Sequence, residues 1–77
     1  MGYTIRRWMS VSGMLFDDTR KVKTAEEAVK AAENLAGICR SLISDGVKNH
    51  IRELEPGERY WLKKKSLGFT IAIGRTK

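Results

Sequence analysis

Two tryptophans stand among basic residues in distant parts of the chain, at Trp8 and Trp61. Arg6 precedes Trp8 by two positions, and Trp61 lies midway between Arg59 and Lys63. Aromatic rings among cations suit single-stranded nucleic acid, because each base that stacks on a ring contributes about 1–3 kcal/mol while Lys and Arg hold the phosphates. These residue types therefore predict a binding surface, provided that the fold brings both tryptophans to the same face.

Residues for metal or covalent chemistry are scarce in this chain. One cysteine and one histidine exclude an intramolecular disulfide and a multi-cysteine metal site. We predict no metal, no cofactor and no catalytic residue. Asp17-Asp18 could bind a cation, but we interpret the two acids as a solvated turn, which weakens the strand pattern over residues 14–23. Cys39 lies on the apolar stripe of a predicted helix and is expected to be a buried thiol. The enzymatic alternative is RNA cleavage by general acid–base chemistry at His50 and Tyr60, which no motif supports.

The composition is that of one small folded domain, which we expect to span residues 1–77 as a single compact unit. Hydrophobic residues make up 42% and charged residues 31% of the chain, a balance that excludes a disordered tail. No apolar run approaches the roughly 18 residues needed to span a membrane, so we predict a cytoplasmic protein without a membrane partner. Because a core of this size is thin, a homodimer would add stability.

The net charge of +6 is unevenly distributed along the chain. Residues 1–23 carry five basic and two acidic side chains, residues 24–46 carry two and four, and residues 47–77 carry eight and three. The excess positive charge therefore belongs to the segments outside the predicted helix. A field of this sign attracts phosphates and acidic surfaces. It favours nucleic acid, or an acidic or nucleic-acid-binding protein, as the partner.

The most distinct predicted element is a helix from about residue 25 to residue 44. Thr24 and Glu27 form a capping box, and apolar residues then recur every three or four positions. Gly37 in the middle would cost about 1 kcal/mol relative to Ala, which we interpret as the close approach of another backbone. Asp45-Gly46 is expected to end the helix in a left-handed conformation.

Alternating apolar residues predict strands on both sides of this helix. The predicted strands cover 3–11, 14–23, 59–65 and 67–74, with turns at 12–13, 55–58 and 66–68. Residues 47–54 are spaced as in a helix, but the segment is short and follows a glycine, so we predict a further strand there. The expected architecture is an α+β two-layer sandwich, with one helix on an antiparallel sheet of three to five strands in the order β(β)αβββ. The second face of the last strand carries only small residues, so either another chain packs closely there, as in a homodimer through this strand, or that face is exposed.

Strand alternation also predicts which side chains share a face. If the odd residues of the first strand and the pair Tyr60 and Leu62 point inward, both tryptophans lie on the sheet face opposite the helix. The expected site comprises Arg6, Trp8, Arg59, Trp61, Lys63, Lys64, Lys65 and Arg75, with Lys77 nearby. Two alternatives stay open. A slip of one residue would bury Trp8 in the core, and the triple-lysine run suits a solvated turn or a protected sheet edge.

These observations predict a small basic protein without enzymatic activity that binds nucleic acid through a basic and aromatic sheet face. The alternative is a protein-binding inhibitor or adaptor in which the same Trp and Arg residues dominate the interface energy. The helix start at residues 24–28 and the strand–helix–strand order are similar to those of many small bacterial and phage proteins. That similarity implies an accessory protein of a phage or mobile element, which docks on a larger host complex.

Overall fold

The computed structural model describes residues 2–77, apart from the side chain of Leu67, as one four-stranded antiparallel sheet with helices on one face. In chain order the elements are β1 (Tyr3–Val11), β2 (Met14–Val22), α1 (Ala25–Ala36), a 3-10 turn (Gly37–Leu42), α2 (Asp45–Arg52), β3 (Arg59–Lys64), a short 3-10 turn (Lys65–Leu67) and β4 (Phe69–Arg75). The predicted α+β class, with a helix packed on an antiparallel sheet, is confirmed.

The first two strands form a hairpin, as the Ser12-Gly13 pair predicts. Both turn residues have positive φ, at 51° and 78°, and Val11 lies opposite Met14. Two residues of positive φ match the right-handed twist of the strands on either side of a two-residue loop. The interpretation of Asp17-Asp18 as a solvated turn is wrong. Both residues lie within β2, where their carboxylates pair across the ladder with cations of β1.

The sheet order is β2-β1-β4-β3, which places the last strand in the middle. On the helix side, Phe69, Ile71 and Ile73 of β4 are buried and form the centre of the core together with Ile5 and Ile51. A second copy cannot pair along this strand, because β1 and β3 already occupy both of its edges. A homodimer through the last strand would therefore have to pack on its small-residue face and cannot extend the sheet at its edges.

Helix α1 begins at the predicted residue, Ala25, and ends earlier than the predicted residue 44. The Thr24 hydroxyl accepts a hydrogen bond from the backbone N–H of Glu27, whose carboxylate accepts one from the N–H of Thr24. The helix stops at Ala36 because Gly37 adopts φ 57° and ψ −118°, and a 3-10 turn follows in place of the predicted final turns. Nothing lies within 4 Å of a Cβ placed on Gly37, so this glycine serves the backbone conformation and not a close approach.

The segment after the 3-10 turn is helix α2, so the predicted strand over 47–54 is wrong. Ser44 caps the helix through its hydroxyl, which accepts a hydrogen bond from the N–H of Val47. Asp45-Gly46 accordingly starts a helix and does not end one. Val47, Ile51 and Leu54 are all buried, which is the helical spacing of one apolar side facing the core.

One charged residue, Arg7, lies on the core side of β1 and ties the sheet to α1. Its guanidinium donates a hydrogen bond of 3.2 Å to the carbonyl of Leu35 and forms an ion pair with Asp18. Helix α1 has no basic residue in its own last turn. A cation near the C-terminal end of a helix complements the negative end of the helix dipole. Arg7 of β1 therefore provides the positive charge that α1 lacks in its own last turn.

Candidate nucleic-acid interface

Both tryptophans lie on the sheet face that the helices leave uncovered, which we call the open face. The strand register places three rows of side chains there across β1, β4 and β3. Side chains directly opposite each other in an antiparallel pair share one face. The rows are Thr4–Gly74–Arg59, Arg6–Ala72–Trp61 and Trp8–Thr70–Lys63.

Trp8 and Trp61 contact each other across β4, although 53 positions separate them in the chain (61 minus 8). Their ring centroids are 5.9 Å apart and their planes differ by 6°. The rings can meet because the β4 residues beneath them on this face are small, namely Thr70 and Ala72. Parallel rings at this separation form a favourable aromatic pair, and Trp61 remains 49% exposed. The pair therefore presents an aromatic surface to solvent.

Cations flank the aromatic pair on both sides. The guanidinium carbon of Arg6 lies 4.3 Å from the ring centroid of Trp8, and the Lys63 ammonium lies 5.9 Å from that of Trp61. Both distances are within the range in which a cation is attracted to the face of an aromatic ring. The aromatic surface is thus bounded by positive charge at each end.

Arg6 also forms a bidentate ion pair with Asp17 of β2. Its Nε and Nη2 donate hydrogen bonds of 3.0 and 2.6 Å to the two carboxylate oxygens. This hydrogen bonding raises the pKa of Arg6 and lowers that of Asp17. The charge of Arg6 is therefore partly neutralised, whereas Arg59 and Lys63 have no carboxylate within 4.0 Å among residues 2–77.

A groove of about 540 Å³ runs along the open face beside the aromatic pair. Its floor is the small-residue face of β4 at Ala72 and Gly74, and the side chain of Arg59 lies over Gly74. The last residue, Lys77, extends along Gly57 at one end. The remaining lining residues are Thr4, Arg6, Trp8, Trp61, Arg75 and Thr76.

The structure brings together five of the eight predicted site residues on the open face: Arg6, Trp8, Arg59, Trp61 and Lys63. Lys64 lies opposite Phe69 and has the inward register, although its side chain is exposed at the sheet edge. Lys65 lies outside the strand, in the 3-10 turn. Arg75 borders the groove but has the helix-side register, and its guanidinium donates a 2.7 Å hydrogen bond to the carbonyl of Leu54 on that side.

Neither the floor of the groove nor Asp17, the carboxylate partner of Arg6, is among the predicted site residues. The run of small residues at alternate positions of the last strand was a usable signal for the floor. This signal does not place the small residues beneath the tryptophans, because the order of strands in a sheet cannot be deduced from local sequence patterns. Asp17 was missed because two adjacent acids suggested a turn, whereas their pairing with cations of β1 makes a strand acceptable.

The side chains considered for other chemistry lie apart from the open face. Cys39 is buried, as predicted. The rings of His50 and Tyr60 contact each other, with centroids 4.2 Å apart, on the helix side of β3. Among the described residues no group of three or more His, Cys, Asp or Glu side chains is arranged to hold a metal ion. Neither helix in the part of the chain that the structure covers is long and apolar enough to cross a membrane.

The Arg6–Asp17 pair predicts a shift in acid titration. Because hydrogen bonding to Arg6 lowers the folded-state pKa of Asp17 below its ordinary 3.8, the pair stabilises the hairpin above that pH. This stabilisation is lost as the pH falls through the lowered value. In an NMR titration of the carboxyl carbon, Asp17 should titrate below 3.8 in the wild type and return towards it in Arg6→Gln. Identical titration curves for the two proteins would show that the ion pair does not form.

In comparisons with protein-family models, with curated proteins and with solved structures, nothing matches this chain.

Proposed function

We propose that this protein binds single-stranded nucleic acid on the open face, with bases stacked on the Trp8–Trp61 pair. The observation that carries the proposal is the parallel Trp8–Trp61 pair, with Trp61 half exposed, beside Arg59 and Lys63, which have no carboxylate within 4.0 Å in the part of the chain that the structure describes. Stacking requires bases with a free ring face, which a single strand offers and a duplex hides. The overall charge of +6 supports the same ligand class.

The division of roles follows from the positions of the side chains. Trp61, as the more exposed ring, is the stacking platform, and Trp8 supports it from behind. Arg59, which lines the groove, and Lys63, which lies in the row beyond Trp61, contact phosphates without reading sequence. Arg6 holds Trp8 in place through its cation–π contact, while Asp17 fixes the guanidinium. We place this binding in the cytoplasm, which suits a chain whose one cysteine is a free thiol.

The test is a titration of intrinsic tryptophan fluorescence with a single-stranded oligonucleotide at several salt concentrations. Each phosphate contact changes log K by about −0.7 per unit of log salt for single strands, so two to four contacts give a slope between about −1 and −3. A duplex of the same sequence should bind more weakly. A flat salt response, or no fluorescence change at low salt, would refute the proposal.

Matched lysine variants locate the binding surface. Lys63→Ala should weaken binding and make the salt slope shallower by about 0.7, because one phosphate contact is lost. Lys30→Ala removes the same charge from the exposed side of α1, and its salt slope should equal that of the wild type. Equal losses of affinity in the two variants would mean that binding depends only on the net charge of the protein and not on the open face.

A second candidate function, binding to a protein as an inhibitor or adaptor, is favoured by the exposed end of the β1–β2 hairpin. Val11, Met14, Leu15 and Phe16 are all exposed there, with Leu15 at 73%. Adjacent exposed apolar side chains are typical of protein contact sites. A partner that co-purifies after nuclease treatment should be lost with Leu15→Ser and retained with Trp61→Ala. Loss with neither variant would exclude both surfaces as its binding site.

A further inference from the structure

Strand β2 is one edge of the sheet and presents a long, unpaired side to solvent. All of its nine residues are exposed except Val22, which is partly buried, so the helices leave this edge open. An edge strand of this length carries a row of backbone donors and acceptors that can pair with another strand.

The backbone groups that point away from β1 belong to the odd residues of β2. The N–H of Ser10 donates to the carbonyl of Gly68 on the β4 side, so the even residues of β1 direct their backbone groups to β4. The odd residues of β1 therefore pair with β2, and the register Ile5–Arg20 makes their partners the even residues. The free edge accordingly consists of the N–H and C=O groups of Leu15, Asp17, Thr19 and Lys21.

The charges along this strand are self-complementary when it is read in the opposite direction. Residues 17–21 read Asp-Asp-Thr-Arg-Lys. With a two-fold axis at Thr19, each Asp17 lies opposite Lys21 of the other copy and each Asp18 lies opposite Arg20. Opposite charges directly across an antiparallel ladder stabilise it, and like charges destabilise it. Four charge pairs therefore form in one symmetric ladder.

The neighbouring registers fail on the same criterion. An axis at Asp18 places two aspartates opposite each other, and an axis at Arg20 places two arginines opposite each other. A two-fold axis midway between two residues would place odd-numbered residues of one copy opposite even-numbered residues of the other. Their backbone groups could then not pair, because only the odd residues direct these groups to the free edge. The axis at Thr19 also sets Phe16 opposite Val22 on the helix side, which covers an exposed aromatic ring.

The side chains of β2 are available for these pairs. Arg20 and Lys21 have no carboxylate within 4.0 Å among residues 2–77, so they are not already neutralised. Asp17 and Asp18 do pair with Arg6 and Arg7 within the chain. Each carboxylate has about four lone-pair sites, which leaves room for a second cation.

The other edge of the sheet does not fit a second copy. Strand β3 carries Arg59, Lys63 and Lys64 and no acidic residue. Two such strands side by side would bring only like charges together, which protects this edge from self-association.

We propose that two copies of this chain associate by antiparallel pairing of their β2 strands about Thr19. The result is a continuous eight-stranded sheet with all helices on one side and both open faces on the other. This inference does not rest on nucleic-acid binding, because every contact in it lies along β2. It gives the dimer two tryptophan pairs on one surface.

Sedimentation equilibrium without nucleic acid tests the proposal. The wild type should show a reversible equilibrium between 8.7 kDa and twice that mass. Arg20→Asp combined with Lys21→Asp makes the strand uniformly acidic and should raise the dimer Kd roughly 50-fold. Arg20→Lys combined with Lys21→Arg keeps both charges and should leave the Kd unchanged. Circular dichroism verifies that each variant is folded.

Thr19→Pro is a second variant, which does not depend on charge. Edge strands accept proline, and the N–H that it removes points away from β1, so the monomer should fold and fail to dimerise. The proposal is overturned if the wild type sediments as a monomer up to about 1 mM. It is also overturned if the acidic double variant and Thr19→Pro, both folded, dimerise as well as the wild type.

Discussion

Trp61→Ala should weaken the binding of single-stranded nucleic acid about 5- to 150-fold, because stacking of a base on an aromatic ring contributes roughly 1–3 kcal/mol. The ring is half exposed and is supported by Trp8 from one side, so a base can add to a stack that already exists. The affinity should fall by a similar factor at all salt concentrations, since the phosphate contacts of Arg59 and Lys63 are kept and the salt slope is therefore unchanged. Fluorescence anisotropy of a labelled oligonucleotide measures it.

Two further variants at this position separate stacking from simple apolar contact. Trp61→Phe keeps a ring and should retain most of the affinity, whereas Trp61→Leu keeps apolar bulk without a ring and should resemble Trp61→Ala. Thermal unfolding provides the control, because the side chain lies on the open face and not in the core. If Trp61→Leu binds as tightly as the wild type, stacking on this ring is not the mode of binding.

Phe69→Ala should cost about 3–5 kcal/mol of unfolding free energy, the usual loss for truncating a buried phenylalanine. Phe69 is 1% exposed and is the largest of the fully buried side chains. It lies on the helix side of the central strand, opposite Met9 of β1. A chain of 77 residues has a total stability on the order of 4–12 kcal/mol, so this single change removes a large share of it. Urea denaturation followed by circular dichroism gives the value.

Ile38→Ala is the matched control for this measurement. It also truncates an apolar side chain to Ala, but Ile38 is 95% exposed in the 3-10 turn after α1. Its change in unfolding free energy should stay within about 0.5 kcal/mol, as for most surface substitutions. Comparable losses in the two variants would mean that the core is not centred on β4.

Local patterns in the sequence were sufficient for most of the secondary structure. The alternation over residues 3–11 predicts β1, and the capping box of Thr24 and Glu27 predicts the start of α1. Two predictions failed where local signals conflict. The apolar spacing continues through Gly37 and predicts a longer α1, whereas the glycine before 47–54 favours a strand there against the helical spacing. In both places the apolar spacing was helical, and the backbone conformation at one residue set where a helix begins or ends.

Some features of the candidate site likewise follow from the sequence, and others depend on the tertiary structure. Alternation along a strand tells which side chains share a face, so the placement of Trp8 and Trp61 opposite the helix followed from parity in β1 and β3. Their contact did not follow, because it requires β4 to lie between those strands with small residues beneath the rings. Strand order depends on pairing between distant segments and on burial of the apolar side of β4. The spacing of apolar residues within a single segment predicts neither of these.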